Sequence, residues 1–177
     1  MKADFLKHVT QRMKQYQEMG TATIEQLNEE QIHFKPSPES NSIAILVQHV
    51  YGNMMSRWTG FLDQDGEKEW RKRDAEFETM DVSKADLLSF WTMGWHQVLT
   101  SLQELREEDL IKTITIRAES MTAMEGILRH LSHYAYHVGQ MVMLAKIILD
   151  KEWKTLSIAK GQSQAFHESM KELHKKE

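Results

Sequence analysis

The sequence contains no cysteine. Disulfides, thiolate zinc sites and a cysteine nucleophile are therefore excluded, and the composition fits a cytosolic chain. Only two prolines and eight glycines interrupt 177 residues that are otherwise rich in Glu, Lys, Gln, Leu and Met, which points to a mostly helical protein. Long apolar runs are absent too. The longest, Met141 to Leu149, is broken by Lys146 and is far too short to span a bilayer. The opening residues Met1 to His8 hold no apolar run followed by a small-residue cleavage site, so no secretion signal is expected. An excess of positive charge is also lacking: the formal net charge is −4, and no global basic field draws the chain to nucleic acid. The basic run Lys68 to Arg73 is interrupted by Glu69 and reads as a solvated loop with local ion pairs. These absences predict a soluble cytoplasmic protein with neither membrane nor nucleic-acid partner.

What is present is ordinary globular composition, 41% apolar and 27% charged. At this length one domain, residues 1–177, is expected to bury roughly 70% of its unfolded surface. Four long amphipathic helices can be traced by three-to-four spacing of apolar residues. The first runs from about Ala3 to Leu27. Pro36 to Asn41 forms a turn, and Asn41 or Ser42 caps a second helix from Ser42 to Leu62, seamed by Ile43, Val47, Val50, Met54, Trp58 and Phe61. Asp65-Gly66 breaks it, and a long polar connection follows with Trp70 and Phe77 as anchors. Ser83 with Asp86 marks the start of a third helix carrying Leu87, Trp91, Trp95, Val98, Leu102 and Leu105. The β-branched stretch Ile111 to Arg117 predicts an extended connection. Thr122 with Glu125 then opens a fourth helix to about Leu149, followed by a loop and a short polar helix. The expected fold class is all-α, a four-helix bundle with a short extended connection before the last long helix.

Three of the nine histidines, His130, His133 and His137, fall within eight residues of that fourth helix. Residues four apart on a helix sit one above the other, so His133 and His137 can offer two imidazoles to one divalent transition metal. With nine histidines, such a pair by itself is as compatible with chance as with ligation. Three features favour ligation. His133, His137 and Gln140 share a face that abuts the apolar stripe, and a buried imidazole needs partners for both nitrogens. His49 lies mid-helix among Ile45, Leu46, Val47 and Val50, where an unpaired ring is costly. Asn53 and Gln140 stand about one turn beyond His49 and His137, placed to orient ligands or substrate, although a plain helix hydrogen bond explains each equally well. His130 is the second choice as a ligand, with poorer spacing to His137. His8, His33, His96, His167 and His174 occupy polar or terminal contexts and read as surface residues, and Trp58 or Trp95 could wall a pocket. Tyr134 stands where a zinc peptidase motif needs its Glu, which excludes that chemistry.

His49 in an Ile/Leu-rich helix with His133-x-x-x-His137-x-Gly139-Gln140 resembles the DinB-like (damage-inducible type) superfamily. Further blocks resemble an uncharacterised bacterial subgroup: Ser42-Ile43-Ala44-Ile45, Gly52-Asn53, Ser56-Arg57-Trp58-Thr59, Asp65-Gly66-Glu67-Lys68, Trp70-Arg71, Arg73-Asp74, Gly94-Trp95, Ile116-Arg117 and Trp153 to Gly161. The resemblance implies an up-down-down-up bundle, often a homodimer, with a metal held by His49, His133 and His137. It also implies an Arg before Gly-Gln, where this chain has Val138 and so one charge fewer. Relatives in the superfamily include thiol-dependent transferases and an isomerase that use mycothiol or bacillithiol. A zinc or nickel ion, with iron as a third option, can lower the pKa of bound water from about 15.7 to about 7 and deprotonate a coordinated thiol. The function expected is therefore a metal-dependent transferase or hydrolase-like enzyme with a low-molecular-weight thiol as cosubstrate. Asn53, Arg57, Arg117 and Gln140 are the substrate-orienting candidates, with structural ion pairs the competing role for both arginines. A non-catalytic metal-binding or stress-response bundle is the alternative.

Overall fold

Short polar side chains decide where the helices begin. The structure, a computed structural model, describes residues 3–176, and the hydroxyls of Ser42, Ser83 and Thr122 each accept a backbone N–H three residues on, from Ile45, Asp86 and Glu125. They start α2 (Ile43–Trp58), α3 (Lys84–Glu104) and α4 (Ala123–Leu149), while α1 spans Ala3–Glu25 and α5 Ser163–Leu173. At Ser83 the cap is reciprocal, because Asp86 also accepts from the Ser83 backbone. The described residues are thus mostly helical, with a small two-stranded sheet. β1 (Thr113–Ile116) pairs antiparallel with β2 (Glu119–Thr122), with Ile116 opposite Glu119.

The core lies where α2 packs on α3 and α4, and α1 on α3 and α4. Trp58, Trp91, Trp95 and Tyr134 are its largest fully buried side chains. Each such ring removes roughly 150–250 Å² from water, worth about 4–6 kcal/mol as an upper bound. Trp58 and Trp95 are therefore packing residues, and neither lines the cavity beside the histidines. One polar chain crosses this core. Trp58 Nε1 donates to the Tyr134 hydroxyl (2.8 Å), which donates to Asn53 Oδ1 (3.2 Å). Because Asn53 lies one turn from His49 and Tyr134 adjoins His133, this chain fixes the rotation of α2 against α4 and turns the histidines toward each other.

Several expectations are corrected by these contacts. The second helix ends at Trp58, not Leu62, because Thr59 is extended and Gly60 adopts φ +60°, a left-handed turn. The expected extended connection is one arm of a hairpin whose other arm, Glu119–Thr122, runs straight into α4. The 68–73 run is a solvated loop only in part: its ion pairs are local, Arg71 with Glu76 and Arg73 with Asp74, but Lys68 and Arg71 are buried, whereas Trp70, the expected anchor, is 58% exposed. Phe77 does anchor, its ring 4.7 Å from that of His49. α5 buries no residue. Among the described residues no helix is long and apolar enough to cross a membrane.

Candidate metal centre

The apolar stripe of α2 carries His49 inward with Val50 and Met54, and that of α4 carries His137 inward with Val138 and Met141. Their rings meet that of His133. His133 Nε2 lies 3.3 Å from His49 Nε2 and 3.1 Å from His137 Nε2, and one nitrogen from each ring falls within 4.8 Å of the others. Ring centroids are 4.5–5.3 Å apart and the rings stand edge to face.

The outer nitrogens explain why the inner ones converge. His49 Nδ1 donates to Glu76 Oε2 (2.9 Å), and Glu76 is gripped by Arg71 through Nε (2.7 Å) and Nη2 (2.8 Å). Burial works to raise the Glu76 carboxyl, but Arg71 and His49 outweigh it and hold it below its ordinary range. His137 Nδ1 donates to Gln140 Oε1 at 2.9 Å. Both rings are thereby set in the tautomer that leaves Nε2 with a lone pair facing the cluster. Gly52 makes this possible on the α2 side. A Cβ there would collide with the Glu76 carboxylate, so the helix accepts its least favourable ordinary residue to let Glu76 approach His49.

These residues fit a metal ion. Two lone pairs already face inward, and His133 can donate a proton to only one of them. Its own Nδ1 has no hydrogen-bond partner. Protonating the rings does not relieve the crowding, because burial first, and the neighbouring histidines next, lower His133 to about 3 and His137 to about 4. Nitrogens about 2.1 Å from a common ion, at angles of about 90–110°, stand roughly 3.0–3.4 Å apart, the spacing of the two measured pairs. The cluster could therefore bind a divalent ion through three neutral imidazoles.

His49 and His133 also line a cavity of about 230 Å³, together with Asn53, Arg57, Ile116 and Arg117. Gln140, offered as a substrate-orienting group, lies instead against His137, and its carbonyl is occupied by that ring. His130 is buried against Trp58 and Tyr134 and does not join the three-nitrogen cluster, although it reaches the cavity wall. His8, His96, His167 and His174 are exposed, as expected; His33 is half-buried, with Nε2 2.9 Å from the Val82 carbonyl. The hairpin turn reaches the cavity in a strained state. Arg117 and Ala118 have φ of 55° and 62°, which costs a non-glycine residue about 1–2 kcal/mol. Asp65 holds the turn, accepting the backbone N–H groups of Arg117 (2.9 Å), Ala118 (2.8 Å) and Glu67 (2.7 Å). These contacts, that of Ala118 foremost and that of Glu67 next, lower its carboxyl to about 2.

The sequence reading missed Glu76, Arg71 and Asp65. All lie in the aperiodic connection after α2, where no repeat marks which acid turns inward. Arg71 five residues before Glu76 was the only cue.

Two solved structures share the fold. A DinB-like protein (YjoA) from Bacillus subtilis superposes with a TM-score of 0.63 at 15% identity, covering 80% of this chain and 91% of that one. A DinB-like protein from Bacillus cereus ATCC 10987 gives a TM-score of 0.60 at 17% identity, covering 81% and 90%. At such identities the likeness concerns the fold alone. No curated protein matches the chain significantly. A family model described as "Protein of unknown function (DUF1572)" matches residues 1–162, nearly the whole length. The chain accordingly belongs to the DUF1572 family, and its fold is that of the two DinB-like proteins.

Proposed function

We propose that this chain is a metal-dependent enzyme in which His49, His133 and His137 hold a divalent transition ion, zinc or nickel before iron, and that it transfers groups to or from a low-molecular-weight thiol of the bacillithiol type. The observation that carries the reading is the convergence of three Nε2 atoms whose outer nitrogens are fixed by Glu76 and Gln140. A bound ion would supply Lewis acidity toward a coordinated thiol or water. The chain's own residues do the rest. Glu76, clamped by Arg71, keeps the His49 ring oriented, and Gln140 does the same for His137. Asn53, Arg57 and Arg117 orient substrate from the cavity wall beside the histidines. Absence of cysteine places any thiol on the cosubstrate. In this reading α1 to α4 form an up-down-down-up bundle that works as a cytoplasmic homodimer.

Elemental analysis of purified protein beside His137→Ala tests the ligands. Stoichiometric metal in the parent and its loss from the variant is the expected result; full retention in the variant overturns the assignment. Thiol-transfer assays with electrophilic substrates test the chemistry. A metal-replete protein inert with every thiol tested would leave a non-catalytic metal-binding bundle as the better reading.

A further inference from the structure

The cavity beside the three histidines is lined by five arginines, Arg57, Arg71, Arg73, Arg117 and Arg129, and by no acid. In a chain of net charge −4 that concentration is not a consequence of composition. Their counter-charges stand behind the wall and fall short. Arg57 Nη2 (2.9 Å) and Arg117 Nε (2.7 Å) both contact the same Oε2 of Glu67, so one carboxylate serves two guanidinium groups. Glu76 is already divided between Arg71 and His49. Arg73 has only a 3.7 Å contact to exposed Asp74 and lies over the Phe77 ring. Arg129 alone has a carboxylate to itself, Glu119 at 2.9 Å.

A second observation comes from hydrogen bonding. Four buried side-chain nitrogens among the described residues have no hydrogen-bond partner, and three of them, Arg57 Nη1, His130 Nε2 and His133 Nδ1, belong to residues that line this cavity. With Nε2 of His133 on a metal ion, its Nδ1 carries the proton and becomes a donor without an acceptor. Arg57 Nη1 and that Nδ1, buried donors left unpaired beside surplus positive charge, call for a ligand that is all acceptor, and an ionised oxyanion is one.

We propose that this cavity is an oxyanion subsite, so that the molecule acted on carries a carboxylate or phosphate group held by Arg57 and Arg117 next to the metal position. This deepens the enzymatic reading above and rests on it for the role of substrate. The cavity's modest volume, about 230 Å³, suits a small acid or one charged arm of a larger molecule.

The test is calorimetric titration of the metal-loaded full chain at low salt with succinate, with its uncharged diamide, and with inorganic phosphate. Succinate or phosphate is expected to bind and the diamide to fail. Arg117→Gln, at a half-exposed position that should leave folding intact, is expected to weaken the anion roughly 10-fold or more, the scale of a charge-assisted hydrogen bond. Stronger binding of succinate identifies a carboxylate subsite, and stronger binding of phosphate a phosphate one. Equal binding of succinate and diamide, indifference to Arg117→Gln, or no binding of either anion overturns the proposal. The same titrations on His137→Ala separate the two readings. Anion binding that persists there, still sensitive to Arg117→Gln, upholds the subsite even if that variant keeps its metal and the ligand assignment falls.

Discussion

The helices and the connection that closes over them contribute opposite things to this site. α2 and α4 supply the three imidazoles, inward-facing and placed by the same apolar stripes that build the core. The connection from Asp65 to Phe77 and the β1–β2 hairpin supply most of the charge: Asp65, Glu67, Arg71, Arg73, Glu76 and Arg117 lie there, and the helices add only Arg57 from α2 and Arg129 from α4. The helices set where an ion could sit, and the irregular segments set how its ligands are held and what approaches it. Each part is incomplete alone. An imidazole cluster without Glu76 has one ring unoriented, and the connection without α2 has no partner for its buried ion pair.

Substituting Glu76 should break this division most severely. Glu76→Gln leaves Arg71, almost fully buried, without its carboxylate, and removal of one partner from a buried pair typically destabilises by about 3–5 kcal/mol. It also replaces the charged acceptor of His49 with an amide, a change of the kind that weakens metal affinity roughly 10–100-fold. Denaturant unfolding and metal titration on the same preparation should show both losses. If stability falls while metal affinity is unchanged, the connection merely supports the fold and does not tune the histidines.

Gly52 sharpens the comparison at the one place where helix and connection touch. A methyl group at Gly52 meets the Glu76 carboxylate, whereas one at Gly139, on α4, meets nothing within 4 Å. Both glycines sit inside helices, where alanine is intrinsically better by about 1 kcal/mol. Gly139→Ala should therefore stabilise. Gly52→Ala should destabilise by about 1–3 kcal/mol, the range for overpacking, and should weaken metal binding in the same direction as Glu76→Gln. Equal and favourable effects from the two substitutions would mean that Glu76 relaxes freely, and that its contact with His49 carries little.

The same contrast explains what could be read from the chain in advance. Helical starts at Ser42, Ser83 and Thr122 follow from local capping chemistry, and the inward faces of α2 and α4 follow from apolar periodicity, so the convergence of His49, His133 and His137 was legible. Glu76 was not, because its position depends on a glycine one turn from His49 and on an arginine five residues earlier, and neither carries a repeat. The hairpin was half legible. Ile111 to Arg117 is β-branched, but Arg117-Ala118 lacks the Asn-Gly or Asp-Gly signal of a tight two-residue turn, since the carboxylate of Asp65, distant in sequence, does the work of a favourable turn residue. The ion pairs of the 68–73 run were legible because they are local, Arg71 with Glu76 and Arg73 with Asp74, but the burial of Lys68 and Arg71 was not, because it depends on packing across the fold.

That carboxylate gives the smallest and most local of the expected effects. The Asp65 carboxyl is lowered from 3.8 to about 2, first by the Ala118 amide and then by that of Glu67, so the folded state binds its proton less readily than the unfolded one. The stability this contributes is fully present above about pH 4 and is lost as pH falls through about 2. Asp65→Asn lacks the contribution at every pH. At neutral pH it should lower the melting temperature by roughly 2–4 °C, if the three amides are worth about as much as a helix cap. Between pH 4 and 2 its melting temperature should fall less steeply than that of the parent, so the two curves converge. Ala118→Gly, which removes the left-handed strain at φ 62°, should recover part of the loss. Parallel curves across that window would show that Asp65 does not hold the turn, and Arg117 would then have to be positioned at the cavity by its Glu67 ion pair alone.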